Sequence, residues 1–186
     1  MLETGKKEQM NEILKQIPVT PLANRMFRNN GQLKFTDTGK QWGLDQPAFS
    51  NSIAYGDLDN DGDLDLVVNN ENQPAFVYRN NARKQNGNNY IGILLKGSGL
   101  NTYAIGSQVK LYKDGQIYWR EIVTSRGFQS SMDYKQIIGL GNLASIDSMI
   151  VVWPNREYSK YENPALNKVH VLQQLPETLP LKRNKA

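Results

Sequence analysis

The nine residues Asp57-Leu58-Asp59-Asn60-Asp61-Gly62-Asp63-Leu64-Asp65, followed by Leu66-Val67-Val68, set five carboxylates directly ahead of an apolar, strand-like run. Carboxylates this close repel one another, so a compact loop without a counter-ion is costly unless some Asp protonates, and a bound metal removes the conflict. All the acidic donors are oxygens, with no His or Cys nearby, which favours a hard ion. The number of oxygens suits Ca2+, which takes six to eight, better than the strict octahedron of Mg2+. Asp57, Asp59 and Asp61 alternate so that three side chains can converge. Gly62 permits the turn that returns the Asp63 carbonyl and the Asp65 carboxylate to the same point. An EF-hand is excluded, because its bidentate Glu would fall on Val68, inside a run without helical periodicity. The residues therefore predict a DxDxDGxxD cation loop leading into a strand, with Asp57, Asp59, Asp61, Asp63 and Asp65 as candidate ligands.

Outward from the loop, Asn24-Arg25-Met26-Phe27-Arg28-Asn29-Asn30-Gly31, Lys34-Phe35-Thr36-Asp37 and Ala54-Tyr55-Gly56 precede it. With these segments the stretch resembles an FG-GAP or VCBS repeat, the unit of integrin-like β-propeller blades. That resemblance implies Ca2+ in the loop. Phe27-Arg28-Asn29-Asn30 recurs as Tyr78-Arg79-Asn80-Asn81, so the chain holds one full repeat and the start of a second. A single blade cannot close a propeller. Phe35, Trp42, Leu44, Phe49, Ile53 and Tyr55 are expected to pack as core within it.

The polar stretch Lys84 to Asn89 reads as a boundary. Beyond it, Tyr90 to Lys96, Ser107 to Lys113, Gln116 to Thr124, Lys135 to Leu140, Ser148 to Trp153 and Lys168 to Leu172 read as six strands. Asp114-Gly115 forms a hairpin signal between two of them. Asn101 to Ser107, Arg120-Glu121, Ser125 to Ser131, Gly139-Leu140-Gly141 and Val151-Val152-Trp153-Pro154 together resemble the ASPIC/UnbV domain. This domain follows FG-GAP repeats in the cartilage acidic protein family and in bacterial exported proteins. The expected fold is thus all-β and mainly antiparallel, with one blade-like repeat packed on a β-sandwich or open barrel. The expected parts are a helix and linker over 1–22, the repeat over 23–85, the ASPIC/UnbV-like domain over 86–175 and a basic tail over 176–186. The helix carries Met10, Ile13, Leu14 and Ile17 at helical spacing, a face expected to be at least partly buried.

Composition narrows the function. The chain has 186 residues, no cysteine, a net charge of +4 and a mean hydropathy of −0.59, with no apolar run long enough to span a bilayer. The basic residues are scattered, which argues against nucleic acid. His170, the single histidine, alternates within Val169-His170-Val171 and reads as a strand residue. No phosphate-binding glycine loop or spaced pair of catalytic carboxylates is present. Ser125 to Ser131 offers a polar contact surface, with Arg126, Phe128, Gln129 and Ser130 as candidate ligand contacts.

The reading that results is a non-catalytic calcium-binding module, secreted, periplasmic or on the cell surface, that recognises a protein or glycan ligand without nucleic acid or a membrane span. The resemblance implies that it forms part of a longer multi-repeat protein. The alternatives are an accessory carbohydrate-binding domain of a secreted polysaccharide-processing system and a metal-dependent hydrolase.

Overall fold

A computed structural model describes residues 4–16, 19–175 and 179–180 and shows a mainly antiparallel β protein with two helices and no closed barrel. The chain divides into two compact units. One comprises the residues up to Ser50 together with Asn70–Pro74, and the other comprises Asn51–Asn69 together with all that follows Pro74.

The smaller unit contains helix α1 (Thr4–Gln16) and strands β1 (Leu22–Ala23), β2 (Phe27–Asn29), β3 (Phe35–Asp37) and β4 (Pro47–Ala48). β2 and β3 pair as an antiparallel hairpin, and β1 pairs with β4. Hydrogen bonds hold the connections: Asn24 Nδ2 donates to Ser50 Oγ, which donates to Asn70 Oδ1, and Asn70 Nδ2 donates to the Pro74 carbonyl. Leu44, Ala48 and Thr38 are buried. The apolar face expected to be buried on α1 is not: Met10, Ile13 and Leu14 are each more than half exposed, and Ile17 lies outside the described residues. Phe35 and Trp42 are also exposed, as is Ile53 to a lesser degree. Strands of two and three residues form patches too small to cover large side chains, so Phe35 and Trp42 do not pack as the core expected of them. Ile53 belongs to the larger unit, on an edge strand of a three-stranded sheet.

The larger unit begins with β5 (Ser50–Gly56), β6 (Asp65–Asn70) and β7 (Phe76–Tyr78), in the order β5-β6-β7. The Asp loop joins the first two. Lys84 to Asn89, read as a boundary, begins within a short helix, α2 (Ala82–Asn86), closed by Gly87 in the left-handed conformation.

All six strands expected beyond it are present as β8 (Asn89–Lys96), β9 (Gln108–Lys113), β10 (Gln116–Glu121), β11 (Gln136–Gly141), β12 (Ser148–Val152) and β14 (Val169–Gln173). Between the last two lies β13 (Glu157–Glu162), and β15 (Leu179–Pro180) follows. β13 escaped the sequence reading because Glu-Tyr-Ser-Lys-Tyr-Glu has no apolar alternation; it pairs with β12 and buries only parts of its tyrosines.

The strands form two sheets, β10-β9-β12-β13-β15 and β11-β8-β14, with β14 parallel to β8. Inward residues from both make one core. Ile91, Ile93 and Leu95 of β8 and Ile138 and Leu140 of β11 join Val109 and Leu111 of β9 and Met149 and Val151 of β12. The register sets Met149 beside Leu111 and Val151 beside Val109, as a buried sheet face requires. Trp153 is almost fully buried and its indole N–H donates to Ser159 Oγ at 2.8 Å, so the large ring carries no unsatisfied donor. This is a β-sandwich. Gly92 sits where β8 is flanked on both sides: a Cβ there would come within 2.8 Å of Val169 Cγ2.

The hairpin signal at Asp114-Gly115 is confirmed. β9 and β10 are joined by these two residues, whose φ angles of 47° and 78° give the twist that suits a two-residue hairpin. Asp147 fastens the turn, accepting hydrogen bonds from Lys113 Nζ at 3.0 Å and from the Asp114 N–H at 3.1 Å. The Lys113 hydrogen bond, and then the Asp114 N–H, hold the Asp147 carboxyl below its ordinary value. A carboxyl depressed in the folded state stabilises above its unfolded-state value and loses that contribution as pH falls through the folded one. Asp147→Asn should therefore flatten the fall in melting temperature below about pH 4, an effect kept small by solvent exposure. Melting curves across the acid range of both proteins measure it.

Candidate functional site

Asp57, Asp59 and Asp61 each offer a carboxylate oxygen, and the three oxygens lie within 4.8 Å of one another. The loop turns as its residues demand: Asn60 and Gly62 take φ angles of 59° and 87°, and the Gly62 N–H donates to Asp57 Oδ1. Gly62 meets a second constraint, because a Cβ at this position would run into the ring of Tyr90, the buried second residue of β8. The loop thus rests on the back of the sandwich sheet, and only a glycine lets it approach.

The remaining two carboxylates are engaged by the backbone. Asp63 Oδ2 accepts from the Arg83 N–H at 2.8 Å, and Asp65, nearly fully buried, accepts from the N–H groups of Asn80 and Leu58 at 2.8 and 3.1 Å. Of the five candidate ligands, then, three converge side by side while Asp63 and Asp65 tie the loop to α2 and its approach.

Three cationic side chains surround the loop, and none was singled out in the sequence. Arg79 Nη2 stands 2.5 Å from Asp59 Oδ2 and 3.6 Å from Asp61 Oδ2. The Arg83 guanidinium donates to the Asp61 carbonyl and lies over the Tyr90 ring, 4.7 Å from its centroid. Lys135, just before β11, donates from Nζ to Asp57 Oδ2 at 3.2 Å, to the Asp57 carbonyl at 3.3 Å and to Asn60 Oδ1 at 2.9 Å. The Asp57 side chain is 1% exposed and that of Lys135 14%. The carboxylate is buried and its ammonium partner mostly so, which makes loss of the partner costly. Arg79 was within reach of sequence reasoning. It belongs to the Tyr78-Arg79-Asn80-Asn81 echo of Phe27-Arg28-Asn29-Asn30, and the two motifs fold alike: Asn29 Oδ1 accepts from the Gly31 N–H and Asn80 Oδ1 from the Ala82 N–H. Lys135 had no such signal, since only the tertiary fold brings it to Asp57.

Beside the loop opens a cleft of about 450 Å³. Tyr55 and Gly56, at the end of β5, line one side; Trp119, Arg120 and Glu121 of β10 and Gln136 of β11 line the other. Lys135 belongs to both the cleft and the loop. Of the four contact residues expected from sequence, Arg126 lines this cleft, whereas Phe128, Gln129 and Ser130 do not. Arg126 is braced by the Glu121 and Val123 carbonyls, to which its guanidinium donates at 2.9 and 3.1 Å. Gly127 and Ser130 bridge across a tight turn that leaves Phe128 largely exposed at its tip. His170 lies half-buried on β14, with Nε2 2.8 Å from the Ala165 carbonyl oxygen.

Two family models match the chain. The FG-GAP-like repeat covers residues 19–68 and the domain described as ASPIC and UnbV covers residues 97–178. The Asp loop falls in the first match, and Lys135, Trp119 and Arg126 fall in the second. Comparison with the curated proteins finds no match.

The ion pair and the glycine contact each give an expected outcome. Lys135→Met leaves the buried Asp57 carboxylate without its partner and should lower stability in chelator by about 3 kcal/mol, read from urea denaturation. Gly62→Ala combines positive φ with overpacking against Tyr90 and should cost about 3 kcal/mol. In a Tyr90→Leu background the same change should cost markedly less, a coupling that a double-mutant cycle measures.

Proposed function

Because the chain carries an FG-GAP-like repeat followed by an ASPIC and UnbV domain, two modules typical of extracellular and cell-surface proteins, we propose that it is a non-catalytic, calcium-binding recognition module working at or beyond the cell surface. No helix among the described residues is long and apolar enough to cross a membrane. Its ligand on this reading is a protein or a glycan.

The observation that carries the proposal is the convergence of the Asp57, Asp59 and Asp61 carboxylates. The donor set fits a hard divalent ion: three carboxylates, with the Asn60 side-chain oxygen at the same turn and no nitrogen or sulfur ligand. When bound, Ca2+ supplies positive charge to the loop. Lys135 and Arg79 supply that charge in its absence, so they compete with the ion for the same oxygens. The role of the chain's own residues is positional: Gly62 and Tyr90 set the loop on the sandwich, and Asp63 and Asp65 anchor it to the backbone of α2 and β7's exit. A non-catalytic role is supported by the single histidine, which lies against the Ala165 carbonyl rather than a carboxylate. A nucleic-acid partner is disfavoured because the side chains of Arg79, Arg83 and Lys135 are directed to the acidic loop.

Melting temperature in millimolar Ca2+ should exceed that in chelator, with a stabilisation of about 2.7 kcal/mol once the ion reaches a hundred times its Kd, and Mg2+ should substitute poorly. The calcium increment should be larger in Lys135→Met, where the competing ammonium is gone. Superimposable curves in calcium and chelator would refute the calcium reading.

A further inference from the structure

The cleft beside the Asp loop is a second site, distinct from the carboxylate cluster, and its lining is informative about what it takes. At about 450 Å³ it falls within the usual range of small-molecule pockets, about 300–1,000 Å³. Its charged groups balance. Arg120 and Arg126 are matched by Glu121 and Asp133, and the Lys135 ammonium is already held by Asp57. A strongly anionic ligand would meet Glu121 and Asp133; a cationic one would meet the arginines.

The hydrogen-bonding capacity is mixed in the same way. Gln136 Nε2 donates to the Asp133 carbonyl at 3.3 Å and Asp133 Oδ1 accepts from the Lys135 N–H at 3.1 Å, which holds both side chains in place. The arginines and the second Gln136 amide hydrogen donate, while the Gln136 amide oxygen, the other Asp133 oxygen and the Glu121 carboxylate accept. Arg126 uses Nε and Nη2 on main-chain carbonyls, which fixes the plane of its guanidinium. Planar donors and acceptors fixed side by side suit a ligand whose every polar group both gives and takes a hydrogen bond, which is the property of a sugar hydroxyl. Trp119 supplies the apolar face that the flat side of a sugar ring requires. It lies on β10 next to Tyr118, whose ring packs against the core, so alternation turns the Trp119 indole outward, and it is 47% exposed. A further pair of half-exposed aromatic rings, Tyr103 and Tyr134, stacks at 3.8 Å, and Tyr134 stands in sequence between the cleft residues Asp133 and Lys135.

We propose that this cleft binds an uncharged carbohydrate chain, with Trp119 as the stacking platform and Arg126, Glu121, Asp133 and Gln136 as the hydroxyl-reading groups. The proposal deepens the recognition reading above, on which it rests, by naming the ligand class. Its site does not include the cation ligands.

The test is a calorimetric and tryptophan-fluorescence titration of the full chain with neutral hexasaccharides of glucose, xylose and mannose, beside oligogalacturonate as an anionic contrast. Saturable binding of at least one neutral sugar is expected, weakened about tenfold or more by Trp119→Ala and by Glu121→Gln. Glu121→Gln keeps the side-chain shape, so it remains informative should Trp119→Ala fail to fold. Absence of binding to all the neutral sugars, binding of oligogalacturonate alone, or affinity unchanged in the Glu121→Gln variant overturns the assignment. Running the titrations in calcium and in chelator separates the two proposals. Sugar binding in both supports the cleft whatever the melting curves show, and a calcium-dependent melting temperature without sugar binding overturns the cleft alone.

Discussion

Five carboxylates within nine residues are a repulsive arrangement, and much of the larger unit can be read as its neutralisation. The charge is met from three directions. Backbone N–H groups from Leu58, Asn80 and Arg83 take up Asp65 and Asp63, Arg79 reaches over Asp59 and Asp61, and Lys135 enters from the far side to Asp57. Arg79, Asn80 and Arg83 belong to the stretch that leads from β7 into α2, and Lys135 to the approach to β11, so the loop binds together two parts of the chain that share no secondary structure. Removing Lys135 leaves the buried Asp57 carboxylate where water cannot fully answer it, whereas the Arg79 pairs are more open to solvent and count for less.

The Lys135 contact has an architectural meaning as well. The Asp loop lies within the FG-GAP-like match and Lys135 within the ASPIC and UnbV match, so two sequence modules share one buried ion pair. Tyr90 adds an apolar counterpart, its ring filling the space that the absent side chain of Gly62 leaves. Together these contacts explain why the loop and the sandwich belong to one compact unit.

Much of this was legible in the sequence. The alternation of Asp57, Asp59 and Asp61 with Gly62, the six strands and the Asp114-Gly115 hairpin are local patterns, and each local pattern reappears in the fold. What escaped depends on tertiary placement. Lys135 follows an unremarkable Asp-Tyr pair and gains its role only because the sandwich carries it to Asp57. α2 was hidden because one alanine and four polar residues present no apolar face from which a period could be read. β13 was hidden because a strand near the sheet margin can be polar on both sides. The exposed Met10, Ile13 and Leu14 show the reverse error: apolar spacing predicted the helix correctly but could not say whether anything covers it.

The parallel pairing of β14 with β8 has a consequence for how the molecule is made. β8 opens the sandwich in chain order and yet receives one of its two neighbours from β14, in a register running from Gly92–Val169 to Lys96–Gln173. Loop-closure entropy must be met before such a distant pairing contributes any stability, so folding is expected to be slow relative to a helical domain of this size. During synthesis β8 emerges early and waits, one edge open, until β14 leaves the ribosome. Tyr90 lies at the start of that waiting strand, and the acidic turn it supports can therefore gain its final rigidity only late in the life of the nascent chain.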